Sequence, residues 1–367
     1  MSFYEKVKDF NGFNFNNFFN SITEEKIEHI LVKDRVNEED FLSLLSPKAE
    51  KYLEEMAQIA HDISINNFGR AILLYTPMYL SNYCVNKCLY CGYNVENGIR
   101  RKKLALGEVE VEAKAIYEMG YRHILILTGE SRKHSPISYI KDCVKILKKY
   151  FSSIAIEIYP LEEDEYRELI CSGVDSLTLY QEVYDEDTYK SVHVAGAKSN
   201  YKYRLDAPER AAKAKIHSLS IGALLGLEDW RKEAFFTGLH GKYIEKNYPD
   251  IELTLSTPRI RPHAGSFEYV REVTDKNIVQ AMLAYKIFIH RAGINITTRE
   301  RAEFRDNLLP LGVTKMSASV STEVGGHSNN EKGDKQFEID DSRNLEDIKF
   351  AIKAKGYHHI FKDWEPI

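Results

Sequence analysis

From residue 71 onward, short β-branched runs alternate with helical stretches eight times, and this alternation constrains the fold more than any other feature of the chain. The runs cover 71–80, 123–128, 154–159, 175–180, 217–222, 251–256, 294–298 and 313–317. Each has the length and apolar content of a buried strand. One helix is expected from Gly107 to Met119, with a stop at Gly120. Another opens at Ser135-Pro136, an N-cap residue followed by proline where a missing N–H costs nothing. A third carries Tyr166, Leu169 and Ile170 towards Gly173, and a fourth starts at Thr274-Asp275 and runs through Ile278, Met282, Tyr285 and Ile289. This order implies an α/β fold with a parallel sheet: a (βα)8 TIM-type barrel, with an open doubly wound sheet as the alternative.

The barrel is expected over residues 71–320. Residues 1–70 read as an N-terminal helical extension, with starts at Ser21-Ile22-Thr23-Glu24 and at Pro47. Residues 321–367 are polar and then helical, and are expected to form a C-terminal covering segment on the barrel exterior. A net charge of −5, spread along the chain, makes no electrostatic case for nucleic acid. No run approaches the roughly 20 apolar residues of a membrane span. The stretch Met1 to Phe19 has no apolar signal core, so a cytoplasmic protein is expected.

Of five cysteines, Cys84, Cys88 and Cys91 fall within eight residues, on the loop that follows the first expected strand. An odd count crowded in this way is a poor disulfide framework and reads as a metal site. Loops after barrel strands build the active-site mouth of this fold. Three thiolates hold three corners of a 4Fe-4S cluster and leave one iron open, where four would close it. The competing reading is zinc, which needs a fourth ligand, and no histidine lies between His61 and His123. Cys143 shares a helical pattern with Ile140, Val144 and Leu147, and Cys171 sits near a helix end; both read as structural.

C-x-x-x-C-x-x-C with Tyr90 just before the last cysteine resembles the signature of the radical S-adenosylmethionine (SAM) superfamily. The resemblance implies that SAM binds the open iron and is cleaved by one electron to methionine and a 5′-deoxyadenosyl radical. It also implies site residues. Tyr90 would lie against the adenine, with Leu224 and Leu225 flanking it. Gly129 and Glu130 would meet the SAM amino group, and Arg204 its carboxylate. Glu157, Gln181 and Glu182 would contact the ribose.

The likeness continues beyond the cysteine loop. Tyr79-Leu80-Ser81-Asn82, Gly92-Tyr93-Asn94, Glu157-Ile158-Tyr159-Pro160, Tyr180-Gln181-Glu182 and Pro258-Arg259-Ile260-Arg261-Pro262 resemble the aromatic amino acid lyase branch. So do Thr297-Thr298-Arg299-Glu300, Phe304-Arg305-Asp306, Ser317-Ala318-Ser319, Gly325-Gly326 and Lys362-Asp363-Trp364. Within that branch the chain is similar to the 2-iminoacetate synthase family, the tyrosine lyases of thiazole (thiamine) biosynthesis. Threonine at 297 stands where that family usually has serine, and keeps the hydroxyl. The resemblance implies cleavage of the Cα–Cβ bond of L-tyrosine to 2-iminoacetate (dehydroglycine) and p-cresol. It implies a flavodoxin- or ferredoxin-type electron donor, and thiazole synthase as the consumer of the product. Arg299, Arg305, Ser317 and Ser319, at the ends of the last two strands, are the candidates for holding the substrate carboxylate. A hydrogenase-maturation tyrosine lyase, a tryptophan lyase, and a non-catalytic iron–sulfur or zinc protein are the alternatives. The maturation enzyme carries a second cluster in an added C-terminal domain. No cysteine follows Cys171 and the chain ends at Ile367, so the reaction is expected to stop at 2-iminoacetate.

Overall fold

The first strand is the seam on which the molecule closes. In the computed structural model, which describes residues 2–265, 267, 271–328 and 333–362, strand β1 (Ala71–Ser81) pairs in parallel with β2 (His123–Thr128) and with β8 (Lys315–Ser317). Between them run β3 (Ser153–Glu157), β4 (Ser176–Thr178), β5 (Ser218–Gly222), β6 (Glu252–Ser256) and β7 (Gly293–Ile296), each parallel to its neighbours. Eight parallel strands therefore form a closed (βα)8 barrel, not an open sheet. All eight expected runs hold a strand, and several strands are shorter than their runs. The run 175–180 yields three strand residues, although main-chain bonds to the β5 side continue beyond it, from Leu179 N–H to Ser220 O and from Gln181 N–H to Gly222 O.

Proline at position 77 would break a ladder in most central strands. Here the pairing of β1 with β8 ends at Tyr75, so from residue 76 onward β1 keeps one registered strand partner, β2. The missing N–H of Pro77 falls where the ladder does not need it.

The covering helices largely follow their punctuation; the exception is the one expected to be capped by Ser135, which begins at Ile137 with Pro136 as its N-cap and no side-chain cap bond. Helices Leu106–Glu118, Ile137–Leu147 and Glu163–Ser172 occupy the expected crossovers, the last closing on Gly173 in the left-handed conformation (φ 119°). Helix Asp275–Phe288 begins at Thr274, whose hydroxyl accepts the Asn277 N–H. The N-terminal extension docks on the outside of this ring. Phe41 stacks on Phe288 at 4.4 Å between ring centroids, and Gly238 makes room for it, since a Cβ there would lie 2.4 Å from the Phe41 ring. The Gln280 side chain donates to the carbonyls of Leu44 (2.9 Å) and Ser46 (2.8 Å).

Two features of the C-terminal segment depart from expectation. It adds a ninth strand, β9 (His358–Ile360), which pairs with Ala71–Leu73 of β1. It also does not stay on the exterior: Gln336 and Phe337 reach over the mouth of the barrel and line its cavity. Asp363 and Trp364 lie outside the described residues. No helix among the described residues is long and apolar enough to cross a membrane.

Lys286, on helix Asp275–Phe288, is fully buried. Its ammonium donates to the Ala292 carbonyl and stands 4.3 Å from the centre of the Phe68 ring, with no carboxylate paired to it among the described residues. Burial lowers its pKa to about 7. The unfolded chain, with a lysine near its ordinary value, therefore binds more protons than the native one from about pH 7 to about pH 10.4, and the native state gains stability as pH rises through that window. Lys286→Met should raise the unfolding free energy at neutral pH by a few kcal/mol, with the advantage shrinking towards the upper end of the window. Denaturant melts of both proteins across that range measure it. A constant difference would show that the charge is not the cause.

Candidate active site

The cysteine loop leaves β1 at the carboxyl end of the barrel and is held down at three glycines. A Cβ at Gly129 would come within 2.4 Å of the Tyr83 carbonyl, at Gly196 within 2.3 Å of the Asn86 side chain, and at Gly92 within 2.6 Å of the Gln336 carbonyl. Gly129 thus serves the close approach of the loop to the end of β2. The loop also pairs with the segment after helix Glu186–Val192: Leu89 N–H donates to Val192 O, Lys87 N–H to Ala195 O, and Val194 N–H to Lys87 O, at 2.9–3.1 Å. These contacts bring Cys84, Cys88 and Cys91 to one compartment. Burial pushes all three thiols up, Cys91 to about 11, so metal loading must displace their protons. Cys143 is buried in its helix and Cys171 is exposed, and neither lines this compartment.

Among the described residues no three His, Cys, Asp or Glu side chains are arranged to hold a single metal ion. The thiols are therefore not gathered about a point as a zinc site gathers its ligands. A cubane is broader than an ion and takes its thiolates at separate corners, which fits a loop of this kind. The compartment also keeps an unengaged polar group: Thr128 Oγ1 lines it and has no hydrogen-bond partner among the described residues.

Beside the cysteines lies a buried charge network. Glu130 accepts from Arg204 (2.9 Å) and Asn86 (2.8 Å), while Arg204 Nε donates to the Tyr180 carbonyl. Glu182 takes a left-handed φ of 70°, uncommon for a residue with a side chain, and its carboxylate meets Lys198 at 2.8 Å and Arg204 at 3.6 Å. These two cations hold the Glu182 carboxyl below its usual range against the cost of burial. Glu157, by contrast, forms no hydrogen bond or ion pair through its carboxylate among the described residues. Desolvation, and then the neighbouring Glu182, raise it to about 7. Tyr90 packs against His193, which accepts its hydroxyl at 2.7 Å and keeps its other ring nitrogen on the Tyr189 carbonyl.

A second compartment continues towards the barrel axis and shares Tyr79, Cys91, Leu127, Glu157, Glu182, Lys198 and Gln336 with the first. Tyr75, Pro77 and Tyr79, spaced by two on β1, form one wall, and Tyr180 and Leu224 belong to others. Arg299 enters from the loop after β7. Its guanidinium lies 3.5 Å from the centre of the Phe337 ring and has no carboxylate partner among the described residues. The nearby acids are taken: Glu300 by Arg259, and Asp306 by Arg343 at 2.8 and 2.9 Å. Ser317 also lines this space, and its hydroxyl accepts the Thr298 N–H at 3.0 Å, so its own proton can be donated.

Four expected site residues are placed elsewhere. Arg305 is wholly buried, bound to the Asp341 carboxylate and the Ser317 carbonyl, and braces the end of β8 instead of facing the cavity. Ser319 lies past the end of β8 at φ 48°, a turn that carries its hydroxyl to Tyr121. Leu225 is buried, its main chain paired with Pro258 and Ile260, so Leu224 is the leucine in the cavity wall. Gln181 lines neither compartment, and both polar atoms of its side chain are buried without a partner among the described residues. Conversely, Lys198, His193, Gln336 and Phe337 belong to the site although the sequence reading leaves them out. Lys198 carries one faint signal, its place two residues past the glycine of Val194-Ala195-Gly196-Ala197-Lys198, in the segment after helix Glu186–Val192. Gln336 and Phe337 carry none.

A closed parallel barrel with a three-cysteine loop at its mouth, beside a buried acid–base network, defines a radical SAM enzyme. Known proteins narrow this further. A radical SAM superfamily model matches residues 78–237, and a Biotin and Thiamin Synthesis associated domain model matches 256–358. The chain is 35% identical to 2-iminoacetate synthase of Escherichia coli (strain K12) over 347 residues, covering 94% of this chain and 92% of that one. It is 34% identical to 2-iminoacetate synthase of Salmonella typhimurium over the same shares of both chains. The crystal structure of the hydrogenase maturase HydG superposes with a TM-score of 0.90 at 29% identity, covering 98% of this chain and 80% of that one. The chain belongs to the 2-iminoacetate synthase family, and it is a radical SAM carbon–carbon lyase.

Cys84→Ala, Cys88→Ala and Cys91→Ala should each abolish cluster uptake, whereas Cys143→Ala and Cys171→Ala should keep it. Iron and sulfide counts after anaerobic reconstitution decide the matter, and full loss of iron in Cys143→Ala would refute the three-ligand assignment.

Proposed function

We propose that the chain cleaves the Cα–Cβ bond of L-tyrosine to 2-iminoacetate and p-cresol, with Arg299 holding the substrate carboxylate. The observation that carries this reading is the guanidinium of Arg299, which faces the cavity without an acid of its own among the described residues. A free carboxylate completes it. Ser317 adds a hydroxyl donor and Phe337 a flat support, so the carboxylate is gripped from more than one side. Tyr75, Tyr79 and Tyr180 offer aromatic walls for a phenol ring.

The cysteine compartment suits a 4Fe-4S cluster on Cys84, Cys88 and Cys91 with SAM beside it. When bound, cluster and SAM supply the one-electron cleavage that makes a hydrogen-abstracting radical. The chain's own residues orient the partners. Glu130 and Arg204 offer complementary charge to an amino acid group, and Lys198 with Glu182 extends that charge pattern towards the second compartment. Glu157 faces both compartments with an unengaged carboxylate suited to accept from hydroxyl groups. Gln336 and Phe337 line the cavity from the side of the C-terminal segment. We further propose a cytoplasmic location, a flavodoxin- or ferredoxin-type electron donor, and thiazole synthase as the enzyme that consumes the iminoacetate.

The two arginines of the two compartments should fail differently. Arg299→Ala should keep SAM binding and lose tyrosine-dependent 5′-deoxyadenosine, while Arg204→Ala should weaken SAM binding itself. Removing one partner of a desolvated charge pair costs about 2–5 kcal/mol, well within reach of affinity and turnover assays. Unchanged tyrosine turnover in Arg299→Ala would place the clamp elsewhere.

Products separate this activity from that of a maturation-type lyase. Residues 172–367 contain no cysteine, so this sequence offers no thiolates for a second cluster after the barrel's first half. Anaerobic turnover should give p-cresol with glyoxylate and ammonium from hydrolysed iminoacetate. Cyanide or carbon monoxide approaching the p-cresol yield would favour the maturation-type reaction.

A further inference from the structure

The strap from Asp334 to Asp341 crosses the barrel mouth and is tied along its length. Asp334 accepts the Arg100 N–H at 2.7 Å, Glu338 N–H donates to Pro262 O at 2.9 Å, and Asp340 N–H to Thr298 O at 2.8 Å. At its centre Gln336 meets the cysteine loop twice. Its carbonyl accepts the N–H of Gly92, the residue after Cys91, at 3.0 Å, and its side-chain nitrogen lies 3.9 Å from Cys91 Sγ. The other end of that amide is fixed, because Oε1 accepts the Tyr79 hydroxyl at 2.8 Å. Tyr79 is buried, which favours its protonated, donating form. A thiolate accepts hydrogen bonds and repels a carbonyl oxygen, so both neighbours select the same orientation of the amide.

We infer that Gln336 is a positioning residue for the cluster, donating an N–H to the Cys91 sulfur and so setting how readily the cluster is reduced. This rests on the assignment of a 4Fe-4S cluster to Cys84, Cys88 and Cys91. Reduction adds negative charge to the cluster, and a hydrogen bond to a ligand sulfur draws density away and stabilises the reduced form. The same amide caps one side of Cys91 against water. The hydrogen bonds of Gln336 go to Gly92, Thr322, Tyr79 and Cys91. Its effect passes through Cys91, and Tyr79 in turn acts through Gln336.

The strap also reaches the substrate side. Phe337, the next residue, lies against Arg299 at 3.5 Å. One short piece of chain therefore contacts a cluster ligand through one residue and the proposed substrate clamp through the next.

The test is an EPR-monitored redox titration of the reconstituted protein, with iron and sulfide counted in each sample. Gln336→Leu keeps the bulk and removes the donor, and its cluster should load fully with a midpoint potential more negative than that of the wild type. Gln336→Glu keeps the shape and replaces the donor by a carboxylate, and should move the potential further in the same direction. Tyr79→Phe frees the amide while leaving the Gly92–Gln336 bond, and should give a smaller shift of the same sign. It carries the test if the Gln336 variants do not load. Fully loaded variants with unmoved potentials, or a shift to more positive values, would overturn the role of Gln336. A wild-type chain that takes up no cluster would instead overturn the functional reading beneath it.

Discussion

Closure of the barrel through β1 is the constraint on which the site depends. The strand must pair with β2 and β8 while its outgoing end delivers the cysteine loop. Pairing with β8 stops at Tyr75, Pro77 falls beyond that point, and further out the strand is taken up by bridges from Tyr79 to Val324 and from Ser81 to Lys103. The same closure brings the end of β8 next to the beginning of the cavity wall, so Ser317 and Tyr75 are register partners. A barrel left open at this seam would separate the cysteines from the arginine after β7. The chemistry thus needs contacts between the two ends of the barrel sequence, and the ninth strand reinforces β1 at its other end.

Around that frame, charge is arranged by pairing. Most cations near the mouth have an acid: Arg204 has Glu130, Lys198 has Glu182, Arg259 has Glu300, and Arg343 has Asp306 and Asp341. Burying such charges is costly unless they are paired and hydrogen-bonded. Arg299 keeps its place by other means, an aromatic face and the Arg259 carbonyl. Glu157 is its acidic counterpart, raised towards neutrality by burial and by the neighbouring Glu182, with no cation bound to it directly among the described residues. Pairing therefore builds the walls, and these two groups mark where a ligand's charges and hydroxyls are to be received.

The fold is legible in the sequence because its signals are local and repeated. Eight apolar runs, glycine stops such as Gly173 and caps such as Thr274 each act within a few residues, and together they leave few topologies. The cysteine spacing is legible for the same reason. Facing is harder to read. Ser317 and Ser319 differ by two and would share a face in a longer strand, but β8 ends at Ser317 and the chain turns at Ser319. Arg299 and Arg305 both follow β7, and only the position of Asp341, far along the chain, makes one of them structural. Gln336 and Phe337 reach the site from a segment with no strand or helix pattern, so no periodicity could announce them. β9, with three residues, is too short to show alternation.

The strap gives the architecture its last dependency. A cluster that is reduced before substrate is in place would lose its electron without useful chemistry, so the two compartments benefit from a common cover. Gln336 and Phe337 are consecutive residues at a bend of the strap, one set against Cys91 and the other against Arg299, so one chain serves both compartments at once. The main-chain bonds to Gly92 on one side and Thr298 on the other fix the spacing between them. Because Thr298 N–H also binds Ser317, and Arg299 follows it directly, the anchor of the strap belongs to the same turn as the substrate clamp. That turn and the Cys91 sulfur are thus joined by one continuous run of chain, from the Thr298 carbonyl through Asp340 and Phe337 to Gln336.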